Sequence, residues 1–257
     1  MKRGFLKKSV LASLLIVSAF GWAAAQESNT IKLNEPNKKR GLPVMEALSV
    51  RASVRDWSDK ELSLQDLSDL LWAANGINRP ESGKRTAASA MNAQDIDIYV
   101  FMKDGAYLYD PKQHALIPML GGDRRVEITA RPGGGPGGPP GAKPEGTPPA
   151  PPAKPEGPPG TPPGGGPGGP PSPAPIQLIL VSDISRFSRG EQALKLEWAN
   201  IDTGIVSQNI SLFCAATGLA TRPRAGMNKD LIKSLLKLKE TQFPILNHPV
   251  GYPKGTS

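Results

Sequence analysis

A 45-residue stretch from 131 to 175 limits what this chain can fold into, because 19 of its residues are proline and 14 are glycine. It holds almost no large apolar side chains, so it cannot bury enough surface to offset the entropy of ordering it. The octapeptide GGGPGGPP occurs at 133–140 and again at 164–171. The glycines keep no three-residue period, which excludes collagen, and no strand precedes them, which excludes a dinucleotide-binding turn. We therefore predict a disordered, polyproline-like insertion over 131–175.

The first 25 residues have the pattern of a secretory signal peptide. A basic start is followed by an apolar run over 10–20 and by Ala23-Ala24-Ala25 before Gln26. The apolar run is short for a membrane span, so we predict cleavage after 1–25, with no stable membrane insertion afterwards, rather than a retained anchor. The run KRGFLK at 2–7 resembles a twin-arginine signal with Lys in place of the first Arg. Either export route places the mature chain in the periplasm or outside the cell.

The rest of the chain amounts to one domain that the insertion divides. A polar lead-in covers 26–41, a first part covers 42–130, and a second part covers 176–257. The formal charge of +8 includes four basic residues of the signal segment, and a mild surplus without a basic block argues against nucleic acid. The single cysteine excludes an intrachain disulfide, and two distant histidines give no support to a metal site or a His-activated nucleophile.

Hydrophobic patterns predict an α+β fold, because helices and strands mix without a βαβ rhythm. Strands are predicted at 95–102 and 106–109, which form a hairpin, and at 176–181 and 243–250. A short amphipathic helix is predicted at 42–50, and Ser63 and Gly76 bound a second helix at 64–75. Two more helices are predicted at 202–217, buried on several faces, and at 229–240, with Leu231, Leu235 and Leu238 inward.

Three segments carry residues suited to ligand binding. If Arg51-Ala52-Ser53-Val54-Arg55 is extended, two guanidiniums and a hydroxyl share one face, which suits a phosphate or an electron-rich ring edge; a solvated basic segment is the alternative. The loop 85–94 is polar, and its Asn92 and Gln94 offer amide groups to a heteroaromatic ring. In the segment 218–226, small residues let backbone N–H groups approach a ligand closely.

Together these segments resemble the nitroreductase-like FMN-dependent flavoprotein family. Residues 51–55 match its R-x-S-x-R signature, and 88–94 are similar to its P-S-x-x-N-x-Q loop, with Ala88 in place of Pro. The run DTGIVSQNI at 202–210, continued by Gly218-Leu219, resembles its central helix. Val250-Gly251-Tyr252-Pro253 resembles its closing G-Y-P. The matches run from about 42 to 254 and are interrupted by the insertion.

The resemblance implies the nitroreductase-like fold, a homodimer with FMN at the subunit interface, and a two-step exchange of electrons. It places Arg51 and Ser53 at the FMN phosphate, Arg55 at the N1/O2 edge of the ring, and the backbone of Ala225 and Gly226 opposite flavin N5. It further assigns Asn92 to the ring or ribityl chain, Ser89 and Gln94 to cofactor binding, Arg224 to the pocket wall, and Lys254 to a phosphate contact. No catalytic residue is assigned beyond the flavin itself.

The leading interpretation is therefore an exported FMN-dependent oxidoreductase with a nitroaromatic-like or quinone-like acceptor. Small Ala88 and Ala93 are expected to enlarge the ring pocket. Export makes the electron donor either NAD(P)H or an unknown redox partner, because nicotinamides are scarce outside the cytoplasm. The alternative is a non-catalytic binding or scaffolding protein on the same fold that recruits a partner through the Pro-rich insertion.

Overall fold

The computed structural model of the chain describes residues 30–130 and 173–255. The predicted signal peptide and most of the predicted insertion lie outside these residues. Within them is a seven-stranded sheet with the order β1-β6-β5-β4-β7-β9-β8, in which every neighbouring pair is antiparallel. The strands are β1 (Ile31–Lys32), β4 (Ile96–Phe101), β5 (Gly105–Asp110), β6 (Ala115–Gly121), β7 (Ile176–Asp183), β8 (Ala220–Thr221) and β9 (Gln242–Gly251). A separate two-stranded ribbon pairs β2 (Ile77–Arg79) with β3 (Lys84–Arg85).

Helices cover both faces of this sheet, which confirms the predicted α+β fold. They are α1 (Val44–Val50), α2 (Leu64–Asn75), α3 (Arg125–Thr129), α4 (Gln192–Thr217) and α5 (Lys229–Leu236). On one face, α2 and α4 pack against Ile98, Leu178 and their neighbours. On the other, α3 and α5 pack against Phe101 and Ile179. Alternate residues of β7 therefore enter different cores, which explains why its central residues 178–181 are all apolar.

The bounds of α2 follow from its two ends. Ser63 accepts a hydrogen bond from the backbone N–H of Asp66 at 3.1 Å, a cap that contributes about 1 kcal/mol. At the other end, the N–H of Gly76 donates to Trp72 O. Leu70 and Leu71 are fully buried, and each contributes about 2 kcal/mol through the apolar surface it removes from water. The predicted hairpin, formed by β4 and β5, and the terminal strand β9 are also present.

Two predicted helix bounds are wrong. α4 begins at Gln192, ten residues before the predicted start, because its polar first part is held by Trp198 packing on Phe187 at 5.5 Å between ring centroids. α5 ends at Leu236 instead of 240, because Lys237 adopts a left-handed conformation with φ of 51°. Its buried residues are Ile232 and Leu236, each one position after a leucine, Leu231 or Leu235, that was predicted to face inward.

The predicted end of the insertion at 175 is also too late. Ala174 and Pro175 are buried, and the Arg125 guanidinium donates to their carbonyl oxygens at 3.2 and 2.9 Å. These residues therefore belong to the fold and lead directly into β7. No helix within 30–130 and 173–255 is long and apolar enough to cross a membrane.

Candidate functional site

A polar cleft of about 560 Å³ lies where the segment after α1, the end of α3, the start of β7 and the chain end meet. Four basic side chains and two acidic ones line it: Arg55, Arg222, Arg224, Lys254, Asp56 and Asp59. Neutral lining residues include Trp57, Ser58, Thr129 and Gln177. The surplus of positive charge makes the cleft suited to an anionic ligand.

Backbone hydrogen bonds bring these distant segments together. The N–H of Val54 donates to Thr221 O at 3.0 Å, which joins the segment after α1 to β8. Trp57 and Pro253 form an antiparallel bridge, so the chain end runs beside the same segment. Arg224 and Asn247 exchange two backbone hydrogen bonds of 2.8 Å, which fix the segment after β8 against β9. The cleft is thus built on the edge of the main sheet.

Two buried polar atoms in the cleft have no hydrogen-bond partner among the described residues. They are the Nε of Arg222, a donor, and the Oε1 of Gln177, an acceptor. A buried polar group left unpaired costs about 1–3 kcal/mol, and such orphans in native folds call for a partner. Their position in a basic cleft fits a ligand that carries both an anionic or accepting group and an N–H or O–H donor.

The structure brings three of the ten predicted site residues into the cleft: Arg55, Arg224 and Lys254. Arg51 and Ser53 lie exposed on the segment just before Arg55, outside the cleft lining. Ala225 and Gly226 are exposed directly after Arg224, whose guanidinium donates to Gly226 O at 3.1 Å. The first and third predicted segments therefore adjoin one site.

Ser89, Asn92 and Gln94 are not among the lining residues of this cleft. They form a compact loop beside α4, where Ser89 Oγ accepts a hydrogen bond from the Gln94 N–H at 2.9 Å. Gln94 uses both ends of its amide inside the protomer, because Oε1 accepts from Arg85 Nε and Nε2 donates to Gly83 O, each at 3.0 Å. The side chain of Gln94 supports the loop here, and its contact with a ligand stays a prediction.

This loop has an unusual backbone. Met91, Asn92 and Gln94 have positive φ of 53°, 54° and 50°, a conformation that non-glycine residues adopt rarely. Such strain costs free energy and persists where surrounding contacts over-determine it, often at ligand-binding positions. Asn92 is exposed at the tip, so its amide is available.

The sequence did not single out Arg222 or Gln177. A usable signal existed for Arg222, because it lies two positions before Arg224 and directly after β8, where alternate side chains share a face. Gln177 is the one polar residue in the first six positions of an apolar strand. A buried amide at that position needs a hydrogen-bond partner.

Comparison with known proteins points to one family. The sequence profile described as the nitroreductase family matches residues 48–135 and 165–252. A protein of Methanocaldococcus jannaschii that is named as a nitroreductase is 26% identical over 229 residues, which is 87% of this chain and 97% of that protein.

Solved structures agree in fold. A protein of Ralstonia eutropha JMP134, titled a nitroreductase, has a TM-score of 0.69 and 27% identity, and the match covers 88% of this chain and 90% of that one. A protein of Anabaena variabilis ATCC 29413, also titled a nitroreductase, has a TM-score of 0.57 and 14% identity, over 82% of this chain and 38% of that one. The second likeness shows the shared fold alone.

Proposed function

Because the chain belongs to the nitroreductase family, a family of flavin-dependent oxidoreductases, we propose that it is an exported enzyme that uses FMN. In this proposal it passes electrons from a reduced donor to a small organic acceptor, such as a nitroaromatic or a quinone. The observation that carries the proposal is the basic cleft with its unpaired Arg222 Nε and Gln177 Oε1.

The residues of the cleft fit FMN. Guanidinium groups donate in a planar fork that suits phosphate oxygens, and the cleft and the segment before it supply four arginines: Arg51, Arg55, Arg222 and Arg224. Gln177 offers an acceptor to a ligand N–H. FMN, when bound, supplies a ring that accepts and gives up electrons. The part of this chain is to hold that ring, to place positive charge beside it, and to leave one face open to the second substrate.

In detail, we propose that Arg51 and Ser53 hold the phosphate end and that Lys254 adds a second contact there. Arg55 places its charge at the pyrimidine edge of the ring and favours negative charge on it. Ala225 and Gly226 are exposed on the segment after β8, and their backbone N–H groups would face the ring. Arg224 is positioned for the wall of the cleft by its bonds to Gly226 O and Thr129 O.

We further propose that the enzyme is a homodimer with FMN at the interface. α1 leaves its large apolar side chains exposed, with 61% of Val44 and 73% of Met45 accessible, although apolar side chains on a helix normally face a core or a partner. None of residues 89–94 lines the cleft of its own protomer. A second copy that covers α1 would supply its own loop to the first copy's cleft and complete the site.

Absorbance of the purified full-length protein tests the function. A yellow protein whose flavin band bleaches on reduction and returns when a nitroaromatic or quinone is added is the expected result. Mass spectrometry of the released flavin distinguishes FMN from FAD and riboflavin. A colourless protein that does not take up added FMN would overturn the proposal and favour a binding or scaffolding role on the same fold.

A further inference from the structure

Two aspartates are buried together between β4 and α4. Asp95, just before β4, is 0% exposed, and Asp202, on α4, is 2% exposed. The carboxyl of Asp95 lies within hydrogen-bonding range of Asp202, and the hydroxyl of Ser182 donates to Asp95 Oδ2 at 2.5 Å. The other oxygen, Asp95 Oδ1, has no hydrogen-bond donor among the described residues.

No neighbouring cation neutralises the two carboxyls by direct contact in the described part of the chain. The charged groups around Asp95 are Asp202 on α4, Asp183 at the end of β7, Arg186 just after that strand, and Arg85 on β3. Arg186 is held by Asp97 in two bonds of 3.0 and 2.6 Å, and Arg85 donates to Gln94 and to Ile96 O. Asp183 accepts from Ser185. None of these groups donates to Asp95 Oδ1.

A proton on one of the two carboxyls removes the repulsion between them. Two ionised carboxylates are acceptors only, so their contact becomes a hydrogen bond only when one of them is protonated. Burial, together with the neighbouring Asp202 carboxylate, raises the pKa of Asp95 to about 7. A protonated Asp95 donates to Asp202 and leaves no buried carboxylate pair to repel.

Asp202 also holds the backbone of the strained loop. Both of its carboxylate oxygens accept the backbone N–H of Ala90, at 3.1 and 2.9 Å. Ala90 immediately precedes Met91 and Asn92, which hold the left-handed conformation. The Asp202 carboxylate is therefore the anchor of the loop on α4, and Asp95 holds that anchor in place.

We propose that a protonated Asp95 donates to the Asp202 carboxylate and that this carboxyl pair positions the 89–94 loop for flavin binding. The proposal rests on the proposed function, because the flavin is the ligand that the loop is positioned to contact. Both aspartates are positioning residues: they act through Ala90 and touch no ligand. Loss of the proton leaves two buried negative charges that repel, and the anchor on Ala90 loosens.

Two variants provide the test, because each keeps a hydrogen bond between the two side chains but replaces the titratable carboxyl proton with an amide N–H. In Asp95→Asn the amide donates to Asp202, and in Asp202→Asn the amide donates to Asp95 while its oxygen still accepts from Ala90. The dissociation constant of FMN is measured from pH 5.5 to 8.5 for the parent protein and both variants. We expect parent affinity to fall by about fivefold or more as pH rises through 7, and both variants to show a flatter profile. The FMN phosphate titrates near 6, equally for all three proteins, so the difference between the profiles isolates the pair.

A second readout does not depend on flavin. Amide hydrogen exchange at Ala90, expressed as protection relative to the unstructured chain, is measured in protein stripped of flavin. Protection that falls above pH 7 in the parent and stays constant in Asp95→Asn supports the pair. If Asp95→Asn does not fold, Asp202→Asn answers the same question. Parallel pH profiles in parent and variant, in both readouts, would overturn the proposal. A parent protein that binds no FMN at any pH but shows the exchange difference would overturn the flavin role and leave the hydrogen-bonded carboxyl pair intact.

Discussion

Ser207 donates a hydrogen bond from its hydroxyl to Nε2 of His248 at 2.8 Å, inside the core between α4 and β9. The other ring nitrogen, Nδ1, lies 3.3 Å from Thr221 Oγ1, which itself donates to Pro249 O at 2.8 Å. Thr221 therefore accepts from Nδ1–H, and the imidazole is neutral with its proton on Nδ1. Burial lowers the pKa of His248 to about 3.

This histidine makes the fold sensitive to acid. Its pKa in the folded state lies below that of the unfolded chain, near 6.5, so protons bind preferentially to the unfolded state. The stabilisation is complete above pH 6.5 and is lost as pH falls towards 3, by about 2 kcal/mol between pH 7 and 5. Urea unfolding at several pH values measures it, with His248→Gln as the control that lacks the titrating ring. Asp95 contributes with the opposite sign, because its raised pKa stabilises the fold at low pH and that stabilisation disappears above 7. Equal acid sensitivity in parent and His248→Gln would contradict this assignment.

FMN and riboflavin differ by the phosphate that we propose Arg51 binds, so comparing the two ligands tests that assignment. We expect Arg51→Ala and Arg222→Lys each to weaken FMN binding by about tenfold, roughly 1.4 kcal/mol. The first removes a charged donor, and the second keeps the charge but removes the planar guanidinium with its buried Nε–H. Riboflavin lacks the phosphate, so Arg51→Ala should leave its affinity unchanged. Lys229→Ala, an exposed lysine at the start of α5, is the matched control. Isothermal titration calorimetry with both ligands gives the comparison, and an Arg51→Ala protein that retains parent FMN affinity would remove Arg51 from the site.

Much of the fold was predictable from local signals. Ser63 and Gly76 mark both ends of α2 by side-chain capping and backbone geometry, and these effects act within a few residues. The mostly apolar run of β7, broken in its first six residues by Gln177, predicts a central strand because both of its faces are buried. The start of α4 was not predictable in the same way, since its first turns gain stability from Trp198 against Phe187, a contact between separate elements.

The site was predictable only in part, because some of its residues come together through contacts between elements that are distant in sequence. Arg55 and Arg224 belong to short motifs, and both line the cleft. Gln177 and Arg222 matter because the start of β7 and the segment after β8 meet in space, which no local pattern encodes. The roles of Asp95 and Asp202 likewise arise from burial of two groups more than a hundred residues apart in sequence.

The exposed face of α1 predicts the oligomeric state. Met45→Glu places a charge on the most exposed large apolar residue of that helix, where a second copy would have to desolvate it. We expect the variant to elute as a monomer in light-scattering chromatography and to lose most of its FMN, because the site needs both copies. Met119→Glu, an exposed methionine on β6, is the control and should remain dimeric. A parent protein that is monomeric with FMN bound would contradict the interface.

The Pro- and Gly-rich segment should be dispensable for folding and flavin binding. We expect replacement of residues 132–172 by a short Gly/Ser linker to leave the flavin spectrum and the dimer unchanged, because the segment supplies no core and no motif residue. The linker must stop before Pro173, since Ala174 and Pro175 are buried and bonded to Arg125. Loss of flavin in this variant, with the thermal unfolding temperature unchanged, would mean that the segment takes part in the site.

The last prediction concerns the electron donor. If residues 1–25 direct export and are cleaved, the enzyme works where soluble NAD(P)H is scarce, and a reduced quinone or a redox partner protein is the expected donor. We propose that the exposed residues Ala225 and Gly226 would leave one face of the ring open, so we also expect slow reduction by NAD(P)H in vitro. Stopped-flow absorbance of the holoprotein compares NADH, NADPH and a reduced quinone at equal concentrations. Faster bleaching by the quinol supports the unusual donor. Bleaching by micromolar NADH or NADPH at roughly 10 per second or more, a rate usual for an enzyme in turnover, would instead show that an ordinary nicotinamide donor suffices.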